Sequence, residues 1–348
     1  MGSVSAAVFI DRDVRPARSE RWHGSWSPDG DQATEMANQV IIVDWGTSNF
    51  RAWLVDQQNG KVLDTIADGL GMASLAPAQF PAYCADRLGG WRHGGTPPVY
   101  MAGMVGAARG WAHAPQLPLP LKPTDLAARL MAVPGMQNAW IVPGARVAGD
   151  VVQGVVPDVM RGEEVQIFGA MQLSGRRSGL LCLPGTHSKW ARVTDDMLVH
   201  FTTSMTGEVY TLLMEHSLLG RDATGQRIPD PVQGSAFARG LGQSTTPGGL
   251  LHQLFTTRAL FLEQQLGEVE IAGYLSGVLV GSEVAAMKAV YPPAQDRALL
   301  LVCSELLRRP YEYALVQAGY APRWIAASDA SLTGVREIIR LHGGEHGG

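Results

Sequence analysis

From residue 39 onward the hydrophobic pattern becomes regular, and Val40-Ile41-Ile42-Val43 forms a continuous apolar run of the kind a strand covered on both faces requires. Residues 50–55 alternate more, and 61–66 follow the turn signal Gln57-Gln58-Asn59-Gly60. Three consecutive strands joined by tight turns are predicted. Helix 78–88, strand 99–104, helix 124–131, strand 139–142 and helix 161–173 complete this half. The pattern then begins again with strand 180–183, a Gly185-Thr186 turn, and strands 189–193 and 197–201. Helices at 207–216, 250–265 and 271–289, strand 299–302, helix 305–318, strand 323–326 and a terminal helix to about 341 follow.

Each half thus opens with a strand, a Gly-Thr turn and two further strands before helices take over. Two related α/β domains facing one cleft are expected. A length of 348 residues with 46% hydrophobic content suffices for two such cores. The expected lobes are 38–175, carrying the substrate site, and 176–348, carrying the nucleotide site. Residues 1–37 mix Asp11, Arg12, Asp13, Arg15, Arg18, Glu20 and Arg21 with Gly, Ser and Pro, and show no sustained period. They read as a disordered extension, with Met36 an alternative start.

Charge narrows the class of partner. With 28 basic against 32 acidic residues there is no basic field to concentrate nucleic acid or an anionic membrane, so a small molecule is favoured. Cys84, Cys182 and Cys303 form no Cys-x-x-Cys pair and no disulfide framework, which suits a reducing cytoplasm. The apolar segment 271–290 is interrupted by Ser276, Ser282, Glu283 and Lys288 and reads as a buried helix rather than a membrane span.

The candidate chemistry starts at Asp44-Trp45-Gly46-Thr47-Ser48-Asn49. A tight turn there sets backbone N–H groups and two hydroxyls beside one carboxylate, the donors that phosphate oxygens need. Asp44 would hold Mg2+, directly or through water, because this hard cation takes oxygen ligands and keeps waters beside nucleotide phosphates. A plain hairpin turn is the competing reading of the same residues. Pro184-Gly185-Thr186-His187-Ser188-Lys189 repeats the arrangement in the other half, so that two loops would grip one triphosphate. Lys189 would neutralise phosphate or meet the substrate, or be a solvated strand-edge lysine. His187 would bind phosphate or be structural.

Asp158-Val159-Met160-Arg161-Gly162-Glu163-Glu164 precedes an apolar helix and places acids where the helix dipole favours them. In a phosphotransferase one of Asp158, Glu163 and Glu164 would accept the proton of the attacking hydroxyl; helix capping is the alternative. The small residues of Ala102-Gly103-Met104-Val105-Gly106 would let a ligand approach the backbone, with Arg51 and Arg109 available to a substrate carboxylate. Gly277 and Gly281 lie four apart on one helical face, against which either another helix or an adenine ring would pack, and they are expected to border the adenine of the nucleotide. No Gly-x-x-x-x-Gly-Lys-Ser/Thr, Gly-x-Gly-x-x-Gly after a strand, His-Glu-x-x-His or Gly-x-Ser-x-Gly occurs, which disfavours P-loop, nicotinamide, zincin and α/β-hydrolase chemistry.

In combination, the segments from Val43 to Leu54, Ala102 to Gly106, Pro157 to Glu164 and Leu183 to Trp190 resemble the 2-dehydro-3-deoxygalactonokinase family, over about residues 39–340. Met-Arg-Gly-Glu-Glu and Thr-His-Ser-Lys-Trp are the specific signals; Asp-x-Gly-Thr is shared across actin-like ATPases. The resemblance implies two actin-like (ribonuclease-H-like) domains, each a mixed sheet with helices. It also implies ATP- and Mg2+-dependent phosphorylation of 2-dehydro-3-deoxy-D-galactonate at its 6-hydroxyl, in galactonate breakdown. Residues 162–169 are similar to the Gly-Asp-Gln-Gln helix start that supplies the base in glycerol-kinase-like enzymes, one residue out of register and with Glu for Asp. Glu163 is therefore the first candidate for the base, with Glu164 and Asp158 retained. Within the class, 2-dehydro-3-deoxygluconate or another small polyol is the rival substrate; outside it, an acceptor-independent ATPase or a phosphoanhydride hydrolase is the rival activity. A second copy of the chain, in a homodimer, is the one macromolecular partner carried as an expectation.

Overall fold

A computed structural model describes residues 38–150, 154, 156–225 and 234–344. The extension expected over 1–37 lies outside the described residues. The chain divides into two compact units, one formed by Ala170–Ala330 and the other by the described residues up to Gly169 together with those from Ser331 onward.

The first unit is built on strands β1 (Gln39–Trp45), β2 (Asn49–Asp56), β3 (Val62–Leu70), β4 (Val99–Gly103), β5 (Gln116–Pro118), β6 (Met131–Ala132), β7 (Ala139–Ile141), β8 (Gly144–Val147) and β9 (Asp158–Met160), with helices α1 (Phe80–Leu88), α2 (Pro123–Ala127) and α3 (Glu163–Ser174). Its main sheet has the order β3-β2-β1-β4-β7-β6. β1, β2 and β3 form the antiparallel meander, while β4 and then β7 add in parallel. The apolar run of β1 is central, and Ile41, Val43 and Trp45 are fully enclosed with Phe50, Phe80 and Met101 in one core. Burial on both faces is what a continuous rather than alternating hydrophobic run supplies.

The second unit contains β10 (Gly179–Leu183), β11 (Ser188–Thr194), β12 (Met197–Ser204), α4 (Thr206–His216), α5 (Ala236–Gln243), α6 (Gly249–Leu262), α7 (Ile271–Val290), β13 (Ala298–Cys303), α8 (Glu305–Gln317) and β14 (Ala321–Ala326). Its sheet order is β12-β11-β10-β13-β14, again a meander followed by two parallel strands. Strand for strand this matches β3-β2-β1-β4-β7. The two units therefore share one topology, that of the actin-like, ribonuclease-H-like class.

Three features depart from the sequence pattern. The helix expected over 124–131 stops at Ala127, and the stretch after it contributes β6. A separate sheet of order β5-β8-β9 forms from three short strands without a strong hydrophobic period. Helix α5 also departs from the expectation: it is only 8 residues long and contains Gly240 and Gly242, too short a stretch to show a sustained helical period.

The last helix, α9 (Ala327–Gly344), belongs by chain position to the second half, yet from Ser331 on it packs with the first unit. The physical reason is a backbone approach: a Cβ on Gly334 would lie 1.9 Å from the carbonyl oxygen of Val165 in α3. Tyr100 and His342 add a hydrogen bond of 2.8 Å, and Tyr100 stacks on Trp140.

The small-residue face of α7 is where α5 docks. A Cβ on Gly277 would meet the Phe237 carbonyl oxygen at 2.1 Å, and one on Gly281 the Ser244 hydroxyl at 2.2 Å. Backbone cannot retreat as a flexible side chain can, so overpacking at Gly277 is expensive. Gly277→Ala is expected to lower the stability of the second unit by about 2–3 kcal/mol. A shift of its urea midpoint indistinguishable from wild type would show that the α5–α7 contact yields freely.

Candidate active site

In the first unit, β1 ends at the Gly46-Thr47-Ser48 turn, which is closed by the Gly46 amide donating to the Asn49 carbonyl at 2.9 Å. The turn is held from behind. The amides of Met72 and Ala73 donate to the carbonyls of Gly46 and Thr47 at 3.1 and 3.0 Å. Gly71 approaches so closely that a Cβ there would sit 2.2 Å from the Ser48 carbonyl carbon. Trp45 anchors the strand end by donating its indole N–H to the Leu70 carbonyl at 3.1 Å and packing edge-on to Phe50. With its carbonyls occupied at the back, the turn presents its exposed face, including Thr47, to solvent.

Asp44 precedes this turn, paired in register with Arg51 on β2 and Ala102 on β4. Burial raises its pKa, while the Arg51 charge and a hydrogen bond from Ser331 act in the opposite direction and the Glu163 charge adds to the rise. The Ser331 hydroxyl donates to Asp44 Oδ2 at 3.1 Å and itself receives the Gln166 amide at 3.2 Å. Sequence reasoning missed both residues. They reach Asp44 only because α9 folds back onto α3, an approach separated from β1 by nearly the whole chain.

Glu163 opens α3 beside this strand end. Gly103 and Gly162 adopt φ of +96° and +103°, and a Cβ on Gly162 would lie 3.0 Å from the Gly103 Cα. Side chains rarely tolerate those angles, so two glycines are needed for β4 and the start of α3 to meet. Glu163 is half-buried and accepts the Arg161 amide at 3.1 Å.

The neighbouring acids are placed differently. Glu164 is fully enclosed, and both its oxygens lie 2.8 Å from the Gly162 amide that donates to them. Burial, reinforced by the Glu163 charge, pushes its pKa up to about 8. Asp158, expected near a helix N-terminus, instead starts strand β9 and accepts the Val159 amide at 2.7 Å. The Arg161 guanidinium donates to the Ala114 carbonyl at 2.7 Å and leaves Nη1 as a buried nitrogen with no hydrogen-bond partner. Met104 begins a short 3-10 turn after Gly103, and Arg109 lies exposed beyond it.

In the second unit the 185–187 turn joins β10 to β11 and repeats the arrangement of 46–48. The Glu208 amide at the start of α4 donates to the Thr186 carbonyl at 3.0 Å, and His187 Nε2 pairs with the Glu208 carboxylate. A Cβ on Gly207 would lie 2.4 Å from the Gly185 oxygen, so a glycine again clamps the turn. A Cβ on Gly185 itself would meet nothing within 4 Å, which leaves open space on the outer side of the turn. Thr186 and His187 are exposed, whereas Ser188 is enclosed.

Two expectations are corrected here. Lys189 is neither a solvated surface group nor aimed outward: it is 3% exposed and donates to the His187 carbonyl at 3.0 Å, bracing the turn from below. Gly277 and Gly281 do not border an adenine ring, because α5 occupies their face. The sequence pattern, which places Gly277 and Gly281 at the adenine, carries no sign of that helix.

Within the first unit the donors fit magnesium and phosphate, because a carboxylate precedes a glycine turn that exposes Thr47. Among the described residues no group of three or more His, Cys, Asp or Glu side chains is arranged to cage a metal by itself. Asp44 would therefore share a cation with phosphate oxygens.

A family model described as 2-keto-3-deoxy-galactonokinase matches residues 44–338. The chain is 35% identical over 303 residues to the 2-dehydro-3-deoxygalactonokinase of Escherichia coli (strain K12), covering 87% of this chain and 98% of that one. A Rhizobium meliloti (strain 1021) protein carrying the same designation is 32% identical over 306 residues, 87% of this chain and 97% of its own. A solved structure from Sinorhizobium meliloti, also bearing that designation, superposes with a TM-score of 0.78 at 31% identity and covers 86% of this chain and 98% of its own.

The raised pKa of Glu164 has a consequence for stability. Above about pH 4.5 the unfolded chain gives up this proton, while the folded state keeps it until about pH 8. Stability therefore falls as pH rises through that window and levels off above it. Glu164→Gln, which keeps an acceptor for the Gly162 amide, is expected to gain Tm relative to wild type as pH is raised from 5 to 8. Parallel Tm curves for the two proteins across that range would contradict an enclosed, proton-holding Glu164.

Proposed function

The chain belongs to the 2-keto-3-deoxy-galactonokinase family, and we propose that it transfers the γ-phosphoryl group of ATP to the 6-hydroxyl of 2-dehydro-3-deoxy-D-galactonate. The observation that carries this reading is the pairing of family membership over residues 44–338 with an Asp44–Glu163 arrangement at the end of β1. Supporting it is the repeated glycine-clamped turn, one in each unit.

In this reading Asp44 would hold Mg2+ and the 46–49 turn would offer N–H and hydroxyl donors to phosphate, with Thr186 and His187 the exposed donors of the 185–187 turn and Ser188 enclosed behind it. Bound MgATP supplies the phosphoryl group, with the cation neutralising charge on its oxygens. Glu163 orients the sugar-acid hydroxyl and accepts its proton as the oxygen attacks, a role in which reach matters before pKa. Its half-exposed position favours it over Glu164, whose oxygens are turned to the Gly162 amide. Arg51, paired with Asp44 across the strands, is placed to offset charge near the transferring group. Arg109, exposed after the Gly103–Gly106 segment, is the available cation for the substrate carboxylate.

The reading includes a cytoplasmic location, supported by three enclosed free cysteines, Cys84, Cys182 and Cys303. No helix among the described residues is long and apolar enough to cross a membrane.

Glu163→Gln is expected to keep MgATP affinity while cutting acceptor-dependent ADP release at least roughly a hundredfold. Turnover near the wild-type rate would remove Glu163 from the base role. Asp44→Ala is expected to weaken magnesium-dependent ATP binding, measured by calorimetry, and an unchanged MgATP affinity would exclude Asp44 as the cation ligand. ADP release assayed with 2-dehydro-3-deoxygalactonate, its gluconate epimer, neutral sugars and no acceptor separates this function from the rival substrates and from an acceptor-independent ATPase.

A further inference from the structure

Behind the 185–188 turn lies a buried polar network that the reaction scheme does not use. Glu283, in the middle of the otherwise apolar helix α7, is 5% exposed. Its Oε1 accepts the indole N–H of Trp190 on β11 at 2.9 Å. Its Oε2 accepts the hydroxyl of Tyr311 from α8 at 2.8 Å and the hydroxyl of Thr206, the first residue of α4. Tyr311 in turn shares a hydrogen bond of 3.2 Å with Ser188, the residue that leaves the turn. One carboxylate thus ties together the strand after the turn, the helix start that clamps it, and α8.

A carboxylate in an apolar helix is costly unless its lone pairs are satisfied, and a satisfied buried network specifies one geometry. The geometry it specifies here is local to the turn. Thr206 is adjacent to Gly207, which has no room for a side chain against Gly185, and is two residues from Glu208, whose amide holds the Thr186 carbonyl. Ser188 and Trp190 bracket Lys189, which braces the His187 carbonyl. Trp190 and Thr206 therefore each lie within two residues of a group that touches the turn, and Tyr311 reaches it through Ser188.

We infer that Glu283 is a positioning residue for nucleotide phosphate: it locks the N-terminus of α4 and the start of β11 in the register that shapes the 185–188 turn. The inference rests on the kinase reading above for the identity of the ligand. Glu283 touches neither nucleotide nor sugar acid and acts through Thr206 and Ser188.

The test uses the full chain with Glu283→Gln, Glu283→Leu and Thr206→Val. A glutamine keeps one acceptor for the Trp190 N–H and donates through its amide to hydroxyls that can reverse direction, so its MgATP Kd is expected to stay within about threefold of wild type. Leucine removes all three bonds and is expected to raise that Kd at least roughly tenfold. It should also speed amide hydrogen exchange across residues 185–188, with the KM for the sugar acid changed less than about twofold. Should the leucine variant not fold, Thr206→Val cuts only the tie to α4 and is expected to weaken MgATP by about threefold or more with the same selectivity.

Wild-type MgATP affinity in Thr206→Val and Glu283→Leu, or equal losses toward ATP and sugar acid, would overturn the positioning role. A wild-type protein that binds MgATP but transfers nothing to the sugar acid refutes the kinase reading alone, since calorimetry and exchange still read the effect of Glu283. Absence of MgATP binding by wild type refutes both.

Discussion

Two glycines without room for a methyl group set the terms for the rest of this structure. Gly71 closes on the back of the 46–49 turn and Gly207 on the back of the 185–187 turn, each at a separation that only backbone-on-backbone contact allows. Both follow the third strand of their meander, so the repeat of topology extends to the device that holds each turn. A turn restrained from behind keeps its outward face in one conformation, and a pre-arranged face spends less binding free energy on ordering itself.

Around each turn the protein places a carboxylate with a different task. Asp44 lies near the end of its strand, where Arg51 and Ser331 favour the charged form against burial. Glu283 is enclosed, and its hydrogen bonds from Thr206, Trp190 and Tyr311 oppose the same burial penalty. The first precedes the 46–49 turn, and the second ties protein segments together behind the 185–187 turn. Glu163 and Glu164 differ in burial too, one half-buried at the helix start and the other turned inward to a backbone amide. Adjacent acids at a helix start therefore sit in distinct environments, because the Gly162 amide holds one of them inward.

The topological repeat, the meander in each half and the location of both glycine turns were legible in the sequence, since continuous apolar runs and Gly-Thr turns are local signals. Asp44 and Glu163 were legible as acids beside special backbone. What was not legible was which small residues meet ligand and which meet helix. Gly277 and Gly281 suit an adenine as well as a helix in sequence, and α5, a short helix with two glycines, takes their face. Lys189 reads as a cation for phosphate or substrate, or as a strand-edge surface group, yet it is enclosed and donates to the carbonyl of His187.

The sequence by itself determined that two α/β units would form and that an oxygen-rich turn would follow the first strand of each. It determined this because strand burial and turn formation depend on residues a few positions apart. Only the tertiary structure decided that Ser331 and Gln166 support Asp44, that Glu283 stands behind the second turn, and that the last helix returns to the first unit. Those choices depend on backbone approaches at Gly334, Gly162 and Gly207 between segments far apart in the chain, and a distance in space leaves no period in a sequence.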